Sequence, residues 1–371
     1  MTKKLFAVCV VGLVLSLAVA AFAHDDKSAT KPGEKVERSL PVDAEATVTL
    51  CVASGTLQVR GWEKNEIRVR SLDAAVIDFR RIEKVKDTSK PPSRVDVMVL
   101  NKGTGVPPRY DCQAIADVEM EVPSGATVQV QTRDGDIIIT GVAGAYAGSQ
   151  NGDITIDRAT KFVEAGSVGG SIILKNSSGR VNLSSAGGGV EAINIRADSD
   201  DDTFEVGTVS GDIQLERVGN PKVTAKTVNG TMMMSGPLAK AGSYGLTNMT
   251  GDIILAMPRD ASFQLNAKVS DKHDIVSDFT LKYLSDVTPP PPPTKTKPEK
   301  SKTPESKGKT PTPPAQPTPS TPKPGPVIAP IVVAKPMPTS YVLRRVSAVC
   351  GSGDATISIA SFGGTVRLKK I

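Results

Sequence analysis

Histidine is nearly absent from this chain of 371 residues. His24 and His273 lie far apart, which argues against a histidine-based catalytic triad and against a histidine-ligated zinc site. The four cysteines contain no Cys-x-x-Cys pair, so neither a zinc ribbon nor a redox motif is indicated. Aromatic residues make up only 4% of the chain, and Trp62 is the sole tryptophan. This scarcity argues against a sugar groove lined with stacking rings and against single-strand nucleic-acid binding.

Charge is also nearly balanced outside one segment. The formal net charge is +6, and Thr288–Ser340 alone carries eight lysines and two glutamates, which accounts for all of it. The remaining residues therefore sum to zero. Because the excess is confined to one segment, the sequence does not indicate a basic nucleic-acid-binding face on a fold, and we expect no nucleic-acid partner.

The sequence has one long apolar run, Leu5–Ala21, at its N-terminal end. This run follows Lys3 and Lys4 and leads into Ala21-Phe22-Ala23, a small-x-small cleavage pattern. We predict a signal peptide over residues 1–23, with an uncleaved N-terminal anchor as the alternative. No other segment reaches the ~18 apolar residues of a membrane helix. We therefore expect an exported chain that does not span the membrane once mature and lies in the periplasm, at the cell surface or outside the cell.

Three cysteines follow the predicted cleavage point: Cys51, Cys112 and Cys350. An oxidising compartment allows a disulfide, and an odd count leaves one thiol over. We favour Cys51–Cys112, because both residues lie in the N-terminal strand region. The alternative is three buried, unpaired thiols.

Alternating apolar and polar residues dominate from Leu40 onward and predict half-buried strands. Residues 24–38 lack this period, and we expect a disordered leader there. Residues 39–125 form a predicted N-terminal antiparallel β region. Within it, Leu72–Lys86 fits either a strand pair or a short helix.

A short repeat is the most informative feature of the sequence. It consists of a small polar residue, glycine, then Asp, Ser or Thr, then an apolar-x-apolar triplet. Looser copies have their glycine at Gly55, Gly179 and Gly353, and a degenerate copy is assigned to Gly189. The six clear copies have Gly135, Gly152, Gly170, Gly211, Gly230 and Gly251. When Gly189 is counted, successive glycines from Gly135 to Gly251 are 17 to 22 residues apart.

This period is typical of a stacked solenoid, and we predict an all-β, β-helix-like stack over residues 126–287. Glycine would supply positive φ at each corner, and six to eight coils would give a rod of roughly 30–40 Å. The alternative is an antiparallel β-sandwich. The first apolar residue of each triplet would form one interior ladder and the last a second. The predicted ladders are Ile137, Ile154, Ile172, Ile213, Met232 and Ile253, and Ile139, Ile156, Leu174, Leu215, Met234 and Leu255.

Thr288–Ser340 holds 18 of the chain's 28 prolines. Proline lacks the donor N–H and fixes φ, so this Pro/Lys-rich segment is predicted to be disordered and extended. Strand patterning returns over residues 341–371, and Gly353 matches the repeat. We therefore expect an insertion at 288–340, followed by a C-terminal β coil that closes the solenoid. The insertion could dock on anionic envelope polymers or thread the peptidoglycan mesh, or it could be a simple spacer.

Several motifs together resemble a known family. These are Glu37–Val42, Ser54–Trp62, Val118–Ala126, the Gly-Asp-Ile repeats and Gly351–Ile357. In this order they are similar to the bacterial "putative adhesin" β-strand-repeat family, a domain of unknown function, over about residues 36–287 and 341–371. The resemblance implies an adhesin-like role and supplies no catalytic residues.

The carboxylates after the repeat glycines are the most tempting site: Asp136, Asp153, Asp212 and Asp252. They could line one edge as metal ligands or acid/base groups, but Ser171 and Thr231 interrupt the row, and turn formation explains all these positions. The acidic stretch Asp198–Asp202 could bind Ca²⁺, yet it lacks EF-hand spacing and fits a solvated loop. We predict no catalytic residue, no cofactor and no metal.

The leading hypothesis is an exported, non-enzymatic, adhesin-like protein of the envelope or surface. Its partner would be a cell-envelope polymer, a surface glycan or a protein. The alternative is a β-helical polysaccharide lyase or hydrolase that uses aspartates on one coil face, with a second carboxylate about 5–9 Å away.

Overall fold

The computed structural model describes residues 35–71, 76–82, 90–101, 112–284 and 343–371. In these ranges the regular structure is entirely β, in two sheets of 13 strands (sheet 1) and 14 strands (sheet 2). Most neighbouring strands are parallel, and in the repeat region consecutive strands alternate between the sheets. Each pair of strands is therefore one coil. The predicted all-β solenoid is confirmed, and the antiparallel sandwich is wrong.

The N-terminal end combines coils with antiparallel edge strands. β2/β3 and β6/β7 are coils that run parallel to the rest of the stack. The antiparallel strands β1, β4 and β5 form the outer edges of the two sheets at this end. The seven strands are β1 (Val36–Pro41), β2 (Thr47–Ser54), β3 (Leu57–Trp62), β4 (Glu66–Ser71), β5 (Val76–Arg81), β6 (Arg94–Leu100) and β7 (Val118–Pro123).

The repeat region forms seven consecutive coils, with even-numbered strands in sheet 2 and odd-numbered strands in sheet 1. The strands are β8 (Thr127–Asp134), β9 (Ile137–Thr140), β10 (Gly144–Ser149), β11 (Ile154–Asp157), β12 (Phe162–Ser167), β13 (Ile172–Lys175), β14 (Arg180–Ser185), β15 (Val190–Ile195), β16 (Thr203–Ser210), β17 (Ile213–Val218), β18 (Lys222–Asn229), β19 (Met232–Ser235), β20 (Ser243–Thr250) and β21 (Ile253–Met257).

The C-terminal end does not follow chain order. Its strands are β22 (Phe263–Ser270), β23 (Ile275–Ser277), β24 (Lys282–Tyr283), β25 (Leu343–Cys350), β26 (Ala355–Ser361) and β27 (Val366–Lys370). The final coil β26/β27 lies between β20/β21 and β22/β23 and is parallel to both. We expected residues 341–371 to close the stack, but this coil lies one position inside it. β25 pairs antiparallel with β22 and β24.

The first coil of the described chain is inserted in the same way. β2 pairs with both β6 and β8, and β3 pairs with both β7 and β9. The first coil in the chain is therefore the second coil in the stack. The first and the last coil of the described chain each lie between coils that other parts of the sequence supply.

Two aliphatic ladders fill the space between the sheets, as predicted. Ile137, Ile154 and Ile172 are in register on neighbouring strands, and every residue named for either ladder is at most 3% exposed. The ladders also run through members that the repeat pattern did not include: Val118, Leu57, Val190 and Val366 in the first, and Met120, Val59, Ala192 and Leu368 in the second. Burial of these apolar side chains away from water is the main favourable contribution to the stability of the stack.

The structure extends some of the sequence predictions and corrects others. Residues 126–287 contain eight coils, within the six to eight expected, and three further coils bring the described stack to eleven, about 53 Å at ~4.8 Å per coil. The copies at Gly179 and Gly353 do not belong to the column of repeat glycines. A Cβ on Gly179 would meet the carbonyl oxygen of Lys161, and Gly364, not Gly353, stacks on Gly251. Val36–Arg38, expected in the disordered leader, begins β1; its residues are mostly exposed, which hides any alternation. Within Leu72–Lys86, residues 76–81 form strand β5.

The disulfide preference is confirmed: Cys51 and Cys112 are bonded, with a Cα–Cα distance of 5.0 Å, and Cys350 is a buried free thiol. The bond ties β2 to the connection between β6 and β7, so it links the first two coils of the stack. The predicted signal peptide, the leader up to residue 34 and the Pro/Lys-rich insertion lie outside the described residues.

Candidate functional site

The repeat glycines form a column in which consecutive backbones nearly touch. A Cβ added to Gly152 would lie 1.8 Å from the carbonyl oxygen of Gly135, and one on Gly170 would lie 2.1 Å from that of Gly152. Of the six clear repeat glycines, only Gly230 and Gly251 have positive φ. Close approach, more than a left-handed backbone, is therefore what requires glycine here. In this column Gly188 takes the place that the sequence pattern gave to Gly189.

A column of buried hydroxyl and amide side chains supports these corners, and the repeat pattern did not predict it. The Ser167 hydroxyl donates to the carbonyl of Gly152 at 3.1 Å and accepts from the N–H of Gly170 at 2.9 Å. Ser149 and Ser185 make the same pair of bonds. The column comprises Thr132, Ser149, Ser167, Ser185, Thr208, Thr227, Asn248 and Ser361. A signal was present, since each member lies three residues before a corner glycine.

The repeat aspartates bond between coils. Asp136 Oδ1 accepts the N–H of Asp153 at 2.9 Å, and Asp153 Oδ1 accepts the N–H of Ser171 at 2.7 Å. Asp212 and Asp252 accept the amides of Thr231 and Thr365 in the same way. We expected these aspartates to form a turn within one coil, but each instead bonds to the next coil. Because the donor is a backbone N–H, serine or threonine can occupy the next position in the row, as Ser171 and Thr231 do.

The opposite edge of the coils carries a second polar column with left-handed backbone. The positive-φ residues are Gly141, Arg158, Asn176, Asn194, Arg217 and Gly236. Asn176 donates its side-chain amide to Asp157 at 2.9 Å, and Asn194 donates to Asn176 at 3.1 Å. Asparagine tolerates this conformation better than most residues. At both edges of the stack, side-chain hydrogen bonds therefore join neighbouring coils, which stiffens the two sheets.

The remaining candidates have local structural roles. Asp202 Oδ2 accepts the N–H groups of Asp198 at 2.7 Å and Ser199 at 2.9 Å, so the acidic stretch forms its own turn. The Trp62 indole donates to the carbonyl of Glu66 at 2.7 Å, and the Arg68 guanidinium lies 4.6 Å from the centre of its ring. The N–H of His273 donates to Ser270 in a turn.

Among the described residues, two titratable groups have clearly shifted pKa values. The side-chain amide of Asn151, followed by the Arg133 guanidinium, lowers the pKa of the exposed Asp134 carboxyl. Burial raises the pKa of Tyr244, whose hydroxyl accepts the N–H of Ala239 at 2.6 Å. Neither group lies beside a partner suited to acid/base chemistry. In the described part of the chain, no cluster of three or more His, Cys, Asp or Glu side chains could hold a metal ion.

The outward faces of the two sheets differ in character. On sheet 1 the central outward row mixes Thr155, Glu191 and Gln214 with apolar residues such as Ile138 and Met233, which are 39% and 36% exposed. Apolar residues spaced singly among polar ones are ordinary for a protein surface. On sheet 2 the outward rows are mostly hydroxyl, amide and charged. The described ranges contain no helix of the length and apolar character needed to cross a membrane.

A stack of parallel coils, closed at both edges by side-chain columns and open on two broad faces, is the class of protein that the geometry defines. The chain belongs to the Toastrack DUF4097 family, whose sequence profile matches residues 94–285. This confirms the resemblance to adhesin-like domains of unknown function. No curated protein matches the chain.

Solved structures with distant similarity carry related names. A "putative cell adhesion protein" from Clostridium sporogenes is 8% identical with a TM-score of 0.24, over 91% of this chain and 100% of that one. A "putative adhesin" from Parabacteroides merdae is 9% identical with a TM-score of 0.36, over 61% and 90% of the two chains. A "putative lipid binding protein" from Parabacteroides distasonis is 14% identical with a TM-score of 0.37, over the same shares.

Proposed function

We propose that this is an exported, non-enzymatic protein of the cell envelope or surface that binds a polymer, glycan or protein through the outward faces of its solenoid. One observation carries the proposal: the inward residues form continuous ladders, so every outward residue is held at a fixed strand spacing over two broad sheets. A rigid, repetitive face presents many weak contacts at once, which suits adhesion better than a single deep pocket.

The repeat aspartates support a binding role over a catalytic one. Each of the four accepts a backbone N–H of the next coil. A carboxylate that must keep such a bond is poorly placed to exchange protons with a substrate. The structural role can be tested directly, because Asp153→Asn keeps an oxygen for the N–H of Ser171 and Asp153→Ala does not.

The test of the proposed function has a binding arm and a turnover arm. Labelled protein should be retained by envelope fractions, such as murein sacculi, surface glycan or surface protein, in a saturable way. Alginate, pectin and murein should not be cleaved. Absence of retention on every fraction would overturn the proposal. So would turnover that disappears in both Asp153→Ala and Asp153→Asn, since Asn preserves the hydrogen bond and removes only the carboxylate chemistry.

Export has its own test. If residues 1–23 are a signal peptide, their deletion should leave the protein in the cytoplasm, while the complete chain is found outside it and shortened by about 23 residues. Equal distribution of the two forms would remove the localisation from the proposal.

A further inference from the structure

One half of sheet 2 has an outward face with positive charge and no carboxylate. The six strands involved are β18, β20, β22, β24, β25 and β26, which are neighbours at the C-terminal end of the stack. In β18, β20, β22 and β26 the outward residues alternate with buried ones, and the register places Arg345 and Lys282 on the same face. Their cations are Lys222, Lys226, Lys268, Lys282 and Arg345, and none of their outward residues is Asp or Glu. We call these five residues the basic face.

Register arranges the basic face in two rows across the strands. One row runs from Lys226 through Thr247 and Ala360 to Lys268 and Arg345. The other runs from Lys222 to Lys282 across the same strands. With about 4.8 Å between strands, Lys226 and Lys268 are ~14 Å apart, and the face is ~24 Å wide.

The charges are not neutralised within the fold. Lys268 and Arg345 are directly opposite each other on antiparallel strands, an arrangement that costs stability when no counter-charge is present. In the part of the chain that the structure describes, none of the five cations makes an ion pair with a carboxylate, although the neighbouring Arg344 lies 3.8 Å from Asp274. The Lys268–Arg345 pair therefore keeps an unfavourable charge pattern that an external anion would relieve, whereas Glu205 on β16 lies diagonally across from Lys222 and Lys226.

The surface between the cations is low and polar. The intervening outward positions are held by small or amide side chains, including Thr247, Ser347 and Asn266, so no bulky group separates the charges. At one rim, Leu284 is 48% exposed and lies two residues after Lys282, and its N–H donates to the carbonyl of Ser347, so both side chains belong to the same face. An exposed apolar side chain beside cations suits the boundary between lipid headgroups and acyl chains.

We infer that the basic face is a docking surface for a bilayer that contains anionic phospholipid. A broad face with dispersed charges and no groove fits a planar array of phosphates better than a single polymer strand. Leu284 at the rim adds an apolar contact that a polysaccharide would not use. The inference rests on the proposed function insofar as both require the protein to reach the envelope.

The experiment is sedimentation of the full-length protein, expressed with its predicted signal peptide and processed by the host. It uses sucrose-loaded vesicles of phosphatidylglycerol and phosphatidylcholine at 3:7, compared with pure phosphatidylcholine. Binding to the mixed vesicles should be strong at low salt and weak at high salt. Each basic residue near an anionic surface contributes about fivefold in partitioning, so Lys226→Gln/Lys268→Gln/Arg345→Gln should lower it about 100-fold.

A matched control removes three cations from the outward row of sheet 1, in Arg60→Gln/Lys175→Gln/Lys369→Gln, with the same change in net charge. It should leave vesicle binding within about fivefold of the unaltered protein. Leu284→Ser should lower the fraction that stays bound at high salt. Equal loss in both triple variants would overturn the inference, and so would binding that the sheet 2 variant leaves unchanged.

A third arm replaces vesicles with the soluble polyanion polygalacturonate. Loss of polymer binding in the sheet 2 variant, with no vesicle binding by the unaltered protein, would assign the basic face to a polymer and overturn the lipid inference. Retention on envelope fractions without any vesicle binding would overturn the inference and leave the proposed function standing.

Discussion

Alanine at Gly170 should open the solenoid at one corner. The added Cβ would lie 2.1 Å from the carbonyl oxygen of Gly152 and 2.4 Å from its carbonyl carbon, whereas ordinary contact begins at 3.4 Å. Relief requires a displacement of 1.3 Å, the difference between 3.4 and 2.1 Å. Both opposing atoms belong to the backbone of Gly152, which hydrogen bonds hold in place. A side-chain rotation therefore cannot supply this displacement.

The displacement would break the bonds that join these two coils. The N–H of Ile154 donates to Ser171 at 2.9 Å, and the N–H of Ser171 donates to Asp153 at 2.7 Å. Lengthening either by more than 1 Å places it outside hydrogen-bonding range. Two lost bonds at about 1 kcal/mol each, with about 1–3 kcal/mol for overpacking, predict a loss of about 3–5 kcal/mol.

The assay is guanidinium unfolding followed by far-ultraviolet circular dichroism. Gly207→Ala is the matched control, because a Cβ there faces outward with its nearest atom, the carbonyl oxygen of Lys226, at 3.8 Å. It should be neutral or stabilising by up to about 1 kcal/mol, since alanine restricts the unfolded chain. Equal midpoints for the two variants would refute the close-approach argument for the glycine column.

Three further predictions concern individual bonds. Cys51→Ser/Cys112→Ser opens a link that spans 61 residues, so it should cost up to about 4 kcal/mol in urea unfolding and make stability insensitive to dithiothreitol. Ser167→Ala leaves a buried carbonyl and amide unpaired and should cost about 1–3 kcal/mol in the same assay; a neutral result would contradict the corner role. Asn151→Ala should raise the pKa of Asp134 toward its ordinary value in a carboxyl NMR titration. Because the pKa of Asp134 is lowered in the folded state, its carboxylate stabilises the fold at pH values above the ordinary pKa. This contribution is lost as the pH falls through the lowered folded-state pKa, so the variant should lose stability less steeply in acid.

The inward ladders could be predicted because an apolar-x-apolar triplet admits one arrangement when one face is dry. Ile154 and Ile156 must point the same way on any strand, and the period near 20 residues then stacks them. The corner at Gly188 could not be distinguished from Gly189 by triplet spacing alone, since three glycines occur in a row. The serine three residues earlier, Ser185, would have fixed the register.

The basic face could not be predicted from the net charge of the sequence. Outside Thr288–Ser340 the charges cancel, and a zero sum does not tell whether opposite charges share a face or lie on different ones. Lys268 and Arg345 are 77 residues apart in sequence and become neighbours only because β25 returns antiparallel to β22. Pairings across so long a separation depend on topology, and the repeat pattern gives no information about it.

Removal of residues 355–371 should therefore do more than shorten the rod. The deleted coil lies between β20/β21 and β22/β23, so its loss leaves β20 and β22 about two strand spacings, or ~9.6 Å, apart, too far to hydrogen-bond. The end from β22 to β25 should then lose its amide protection in hydrogen exchange, while β8–β17 keep theirs, because each coil contacts only its neighbours. A synthetic peptide of residues 355–371 should restore protection by filling the gap. If the truncated chain instead keeps β22 protected, the end coils must close directly on β20, and the inserted arrangement would not be needed for stability.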